Sequence, residues 1–328
     1  MAGGRLRRWL ARHPLAVLVA GVAAVSSAAV WVRVSRLAPE ALAMSRLGLA
    51  AAALWPLVFL QGRPGLPGSG QRSWVWPWSW AGQAALAGVA LAAHWSLWFW
   101  SLRLTSVLNA TVLVTTQPLF VVALRLLAGR GSGLRAGQPA GLALALVGAC
   151  LVAAGNAAAG GDSPGLAGAA GRWGQGAGRA LAGDALALAA AVLSSLYWLA
   201  GERLRQAVPV VPYQAVAYTA GAFCLWLWNQ ARGVPVGAWP AREWAVAAGL
   251  AAIPTLVGHS ALNWVIGTMG AATVATAVLG EPLGASVLAF VLFGEKPSGL
   301  QAVGAACLLA GLHRFLRPER EPDPQART

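Results

Sequence analysis

This chain has little charge: Asp, Glu, Lys and Arg make up 10% of its 328 residues, against 58% apolar. A soluble domain of that length could not cover its surface with so little charge, which leaves a bilayer as the solvent for most of the chain. Acidic residues number 10 and histidines 4, and no paired aspartates, HExxH or GxSxG pattern lies in or beside an apolar run. Intramembrane hydrolysis, by a metal or by an activated nucleophile, therefore has no residues to work with, and no enzyme is expected. A GxxxxGK[ST] phosphate loop is also missing, as is a soluble nucleotide domain, which excludes an ATP-driven pump. Cysteine is limited to Cys150, Cys224 and Cys307, each inside an apolar run with no CxxC or Cys/His spacing. Neither a disulfide framework nor a metal site is expected, and nothing calls for a cofactor.

Basic residues still outnumber acidic ones, for a net charge of +14. The arginines stand at the ends of apolar runs, not along amphipathic stretches, so nucleic acid is not an expected partner. Charge at span ends is instead what orients a membrane protein. A span needs about 20 mostly apolar residues. Ten runs qualify: 13–32, 39–60, 81–101, 105–127, 138–158, 183–201, 210–229, 243–265, 270–293 and 297–315. The first follows Arg5, Arg7, Arg8 and Arg12 and has the look of a signal peptide; it reads as a retained span because later runs need it as a repeat partner. The fold class is thus all-α integral membrane. Its expected organisation is a tail at 1–12, a five-helix unit at 13–158, a Gly/Ala-rich linker at 159–182, a second five-helix unit at 183–315 and a tail at 316–328. An even span number puts both ends on one side. With the ends inside, fifteen basic residues of loops and tails fall inside and eight outside, which favours cytoplasmic termini in an inner (plasma) membrane.

The two halves repeat. HWSLWFWSLR from His94 aligns with HSALNWVIGT from His259, and the same spacing sets Ala110-Thr111 over Ala275-Thr276. One residue of slip then places Gln117-Pro118-Leu119 over Glu281-Pro282-Leu283, and GACLVAAG from Gly148 matches GAACLLAG from Gly304. Several blocks in one order mark an internal repeat. Each unit holds an odd number of spans, so the second enters the membrane the opposite way. Inverted repeats of this kind place a substrate site near the midplane between the halves.

These residues resemble the drug/metabolite transporter superfamily, and within it the EamA-type ten-span permeases. The resemblance covers about 14–315 and rests on Arg46, His94, LTSVLNATVLVTTQPLF from Leu104, GACLVAAG, GDALALAAAVLSSLYW from Gly183, PTLVGHSALNWVIG from Pro254, AATVATAVLGEPLGASVLAFVLFGE from Ala271 and GAACLLAG. Where the family pattern often ends the fourth span with Gly-Glu, this chain has Gly129-Arg130. The resemblance implies a secondary transporter that moves a small metabolite (an amino acid, a derivative or a drug-like solute) by alternating access, as an exporter. The implied partners are the solute, protons and the lipid bilayer; nothing in the sequence fixes an oligomeric state. A structural or signalling polytopic protein without transport is the alternative, and solute flux in vesicles separates the two. Nucleotide sugars fit less well, since their phosphates call for several core cations and Arg46 is the one basic residue well inside a run.

Glu281 is the most informative residue. It sits near the middle of the ninth run, where an ionised carboxylate costs about 2.5–3.5 kcal/mol on insertion scales. Pro282 beside it cannot donate a backbone N–H and crowds the carbonyl four residues back, so a kink or break is expected there. Freed carbonyls next to a carboxylate make a polar niche. Thr276, Gly280, Glu281 and Gly284 share a helical face. Two readings stand: a substrate- or proton-binding site, or a small-residue packing seam with Glu281 protonated and hydrogen-bonded.

The fourth run offers the related set, with Asn109 and Thr116 on one face and Gln117 at the expected Pro118 kink; polar glue between helices is the other reading. His94 and His259 occupy matching places, with Asn263 one turn beyond His259. Each is a candidate cavity residue able to exchange a proton, or a buried structural histidine. Arg46 can snorkel, pair with Glu281 or hold a substrate carboxylate. Tyr197, Trp198 and Trp31 are candidates for an aromatic wall, although most of the 17 tryptophans read as interfacial belts.

Overall fold

Alanine- and leucine-rich runs fold as helices here because a helix satisfies each backbone N–H and C=O within its own segment, as lipid requires. The computed structural model describes residues 12–60, 78–105, 107–129, 131, 134, 138–158, 177–294 and 298–316, and over these residues the elements are all helical. The expected terminal tails beyond those limits, most of the linker, Arg130 and Glu295 lie outside the described residues.

Helix α1 (Pro14–Ser26) continues after a break at Ser27 as α2 (Ala28–Val34). Then come α3 (Pro39–Leu60), α4 (Trp78–Leu104), α5 (Val107–Val114) and α6 (Gln117–Leu127). The first half closes with α7 (Gln138–Ala158). The second opens with α8 (Ala177–Leu204), which begins six residues before the run that predicts it, and α9 (Val210–Ala231). Next, α10 (Ala241–Leu250) passes through a π-helical stretch, Ala251–His259, into α11 (Ser260–Met269). Helix α12 (Ala271–Ala277) passes through a 3₁₀ turn, Val278–Gly280, into α13 (Glu281–Phe293), and α14 (Gly299–Leu316) follows.

Eight of the resulting spans are long and apolar enough to cross a membrane; two further apolar helices, Gln138–Leu151 and Ala302–Phe315, are shorter over the described residues. Large apolar side chains such as Leu60, Leu86, Leu127 and Val291 point outward, as suits contact with lipid. The chain is a multi-pass membrane protein.

Small residues let the helices meet. Helix α4 packs on α8 and α9, α3 packs on α9, and α7 packs along α14. A methyl group at Gly221 of α9 would lie 2.7 Å from the Gly88 carbonyl oxygen of α4. One at Gly148 of α7 would lie 2.6 Å from the Gly304 carbonyl oxygen of α14, and one at Gly311 would lie 2.7 Å from the Gly141 carbonyl oxygen. Backbone meets backbone at each of these places, the close approach that drives helix association in lipid. The α7–α14 pair has its own small core around Ala145, Ala149, Leu308 and Phe315. The main core lies between the remaining helices and surrounds the polar centre.

Candidate functional site

Two of the interrupted spans break just before a proline. Between α5 and α6 the chain turns at Thr115 and Thr116, and Pro118 enters the first turn of α6. Between α12 and α13 the 3₁₀ turn Val278–Gly280 precedes Glu281 and Pro282. Proline is accommodated in a first turn, where its missing N–H has no intrahelical partner to lose. The breaks point Gln117 and Glu281 at one cavity, shared with Arg46, His94, His259 and Ser194. Its walls include the rings of Trp95, Trp98 and Trp198. The volume open to the centre of a water molecule is about 20 Å³, room for a water or two and not for a solute.

Arg46 is 1% exposed. Its Nε donates to Thr255 Oγ1 at 2.6 Å, and its guanidinium carbon lies 3.5 Å from the centre of the Trp95 ring. Thr255 is fixed in turn, since its hydroxyl donates to the Leu250 carbonyl five residues back, a reach that the π-helical stretch provides. The guanidinium is thus held on one edge and one face, and its buried Nη1 has no hydrogen-bond partner. Glu281 is 8% exposed, and among the described residues its carboxylate makes no hydrogen bond or ion pair. A cation and a carboxylate therefore face one cavity without pairing to each other.

The histidines differ. His94 sets Nδ1 2.8 Å from the Ala190 carbonyl oxygen, which in the neutral ring fixes the proton on that nitrogen. His259 lies flat against Trp198, with ring centres 5.8 Å apart and planes within 4°, and edge-on to Trp95 at 5.1 Å. Its Nδ1 has no partner. Gln117 accepts from Trp198 Nε1 at 2.7 Å through its side-chain oxygen, and its backbone carbonyl accepts from Ser195 at 3.1 Å.

Arg46, His94, Gln117, His259 and Glu281 thus meet, with Trp198 in the wall beside them, while most of the other residues singled out from the sequence lie elsewhere. Asn263 and Tyr197 form a neighbouring cluster in which Asn263 Nδ2 donates to the Tyr197 hydroxyl at 2.8 Å. Thr276 and Thr116 give their hydroxyl protons to the carbonyls of Ala272 and Leu113, at 2.8 and 2.6 Å. Asn109 lies on α5, and its side chain is outside the described residues. Trp31 packs over Gly249, where an added methyl would lie 2.5 Å from its ring. Thr255 and Ser194 were not singled out from the sequence. The Pro254-Thr255 step inside an apolar run is the signal that marks Thr255. Among the described residues no three His, Cys, Asp or Glu side chains gather as a metal site would need.

Polar contacts tie the helices at both ends of the bundle. At the Met269 end, Glu202 pairs with Arg125 of α6 and accepts from the Ala271 backbone N–H at 3.1 Å. At the other end, Glu243 accepts from the Ser35 hydroxyl at 2.8 Å and from the Arg36 N–H at 3.1 Å.

No curated protein matches the chain. Among solved structures 29 chains match. One, titled "Crystal structure of protein", has a TM-score of 0.65 at 21% identity over 93% of this chain and 97% of its own, a likeness of fold. The EamA-like transporter family matches twice, over residues 13–154 and 181–315. Those two matches take in every helix that walls the cavity and nearly all of the helical bundle, and the chain belongs to the EamA-like transporter family, part of the drug/metabolite transporter superfamily.

Proposed function

We propose that the chain is a secondary transporter for small metabolites that carry both a carboxylate and an amine, amino acids and their derivatives first among them. The observation that carries this reading is a guanidinium nitrogen without a partner, Arg46 Nη1, and a carboxyl group without a hydrogen bond or ion pair, that of Glu281, facing one tryptophan-walled cavity. A buried charge without a partner is costly. A zwitterion offsets both at once, its carboxylate on Arg46 and its ammonium on Glu281, while the rings of Trp95, Trp98 and Trp198 take an apolar side chain. His259 and Gln117 offer further hydrogen bonds. Between passages Glu281 exchanges a proton with the cavity, which makes protons the coupling partner. The cavity holds a water or two, so loading requires the helices to part at one end, as alternating access demands.

The same reading takes 13–158 and 183–315 as inverted five-helix repeats of a ten-span carrier, joined by a linker at 159–182. The two separate family matches support it, as do the breaks at Gln117-Pro118 and Glu281-Pro282. The packing of α3 on α9 and of α7 on α14 supports it too, because a two-fold axis sets equivalent helices face to face. With both termini cytoplasmic in an inner membrane, the carrier works as an exporter. The test is flux in liposomes against amino acids, their amides and their decarboxylated amines, with and without a pH gradient. The expected result is saturable flux of the zwitterions, faster under the gradient, and weak flux of the singly charged analogues. Absence of flux for all of them would favour a structural or signalling protein.

A further inference from the structure

All three tyrosines of the chain, Tyr197, Tyr213 and Tyr218, are fully buried in one place beside the cavity, on α8 and α9. Around them the hydrogen bonds are nearly complete. Gln214 Nε2 donates to the Tyr218 hydroxyl at 2.7 Å, Ser260 donates to Gln214 Oε1 at 2.9 Å, and Asn263 Nδ2 donates to Tyr197 at 2.8 Å. Two buried oxygens remain without partners, the Tyr213 hydroxyl and Asn263 Oδ1. Both face the same gap, the place where Gly201 has no side chain. A methyl built there would stand 3.3 Å from the Tyr213 oxygen and 3.5 Å from Asn263 Oδ1.

The gap belongs to a longer feature. On α8, Ser194, Tyr197 and Gly201 recur at helical spacing along one face, beginning at the cavity wall, and Arg205 follows four residues on, in the turn just past the helix end. His259, Asn263 and Gly267 do the same from the π-helical stretch into α11, and the two rows meet. Asn263 bonds Tyr197, and the nearest atom to a methyl at Gly267 would be the Arg205 Nη2 at 3.7 Å. Arg205 closes the seam at its far end: Nε donates to the Asn263 carbonyl at 3.3 Å, and Nη1 donates to the Val208 carbonyl. Small residues and polar side chains are common where helices meet in lipid, but such polar groups are there because they bond across the contact; this seam starts at the cavity wall and holds two buried oxygens with no partner.

We propose that the seam between α8 and α11 is one half of the solute's route, closed here by Arg205, and that the Tyr213 and Asn263 oxygens over Gly201 form a stepping site for the solute's hydrogen-bond donors. The proposal rests on the transporter reading and adds which helices part, at which end, and which side chain holds them shut.

Accessibility of the cavity tests this without knowledge of the solute. Ser194→Cys, in a background with Cys150, Cys224 and Cys307 replaced by Ala, places one thiol on the cavity wall. A membrane-impermeant maleimide is then applied to right-side-out and inverted vesicles. Arg205→Ala is expected to raise labelling at least about tenfold from the face that bears Arg205, the loss of a charged donor's bonds being worth that much, with no change from the opposite face. Arg205→Lys, which keeps the charge and cannot make both bonds, covers the case in which the alanine variant does not fold; it should give a smaller rise on the same face. Unchanged labelling in a folded variant, or an equal rise from both faces, would overturn the gate. Gly201→Ala would set a methyl 3.3 Å from the Tyr213 oxygen, a contact to which the hydroxyl must yield slightly, and in protein that folds it should slow flux of donor-bearing solutes by several-fold; undiminished flux would overturn the stepping site. One-sided labelling without any flux would instead refute transport and leave the gate standing.

Discussion

Replacing Thr255 by Val removes one hydroxyl and nothing else of comparable size, at the point where the fold holds its central cation. That hydroxyl accepts the Arg46 Nε at 2.6 Å and is fully buried. In the variant a methyl faces the N–H, and the guanidinium, already without a partner at Nη1, loses a second bond. Hydrogen bonds to charged groups are worth about 1.5–3 kcal/mol. Stacking on Trp95 survives, worth about 2 kcal/mol in a desolvated site, so Arg46 stays in place and loses its aim. If the whole loss falls on the bound state, the KM for a carboxylate solute rises by about 10- to 150-fold. If it falls on the protein, thermal unfolding in detergent moves down instead. Thr255→Ser keeps the hydroxyl and should stay within a few-fold of the parent in KM. The assay is liposome flux with matched incorporation, beside thermal unfolding of each variant. A Thr255→Val protein equal to the parent in both would refute the claim that Thr255 positions Arg46.

The α7–α14 contact gives a prediction whose sign opposes helix propensity. Alanine is favoured over glycine in a helix by about 1 kcal/mol, yet Gly148→Ala would press a methyl to 2.6 Å from the Gly304 carbonyl. The helices must part, and overpacking of this kind costs about 1–3 kcal/mol. Lowered unfolding temperature is expected, with Gly82→Ala, which has nothing within 4 Å, unchanged or raised; equal behaviour of the two would contradict the packing. Reporter fusions at both termini should read cytoplasmic, and a periplasmic C-terminus would exclude ten spans.

Eight of the ten runs are helices of span length, legible in the sequence because the cause is local. An apolar run of span length must be helical in lipid, and Pro118 and Pro282 act on the turn that contains them. Five of the candidate residues meet in the cavity because a charge or a histidine inside an apolar run has few places to go other than inward. What periodicity could not supply is equally physical. The π-helical stretch at Ala251–His259 takes Thr255, inside it, off the register a regular helix would give, and lets its hydroxyl reach the Leu250 carbonyl five residues back. The hydroxyls of Thr116 and Thr276 are spent on carbonyls of their own helices, the nearest acceptors for short side chains. Which of many tryptophans turn inward depends on contacts between the halves, and so do the ties of Glu202 and Glu243. None of these leaves a trace in spacing along one helix.

The central claim is that a cavity faced by the free Nη1 of Arg46 and by Glu281 carries a zwitterion and exchanges a proton at Glu281. Glu281→Gln keeps the shape of that side chain and removes both its charge and its titration. The decisive measurement is flux of an amino acid by Glu281→Gln in liposomes, over about pH 5 to 8 and at matched protein incorporation. The predicted result is flux reduced at least about tenfold, with the residual rate independent of pH and of an imposed proton gradient. Parental flux with the parental pH dependence would leave Glu281 a packing residue and contradict the account.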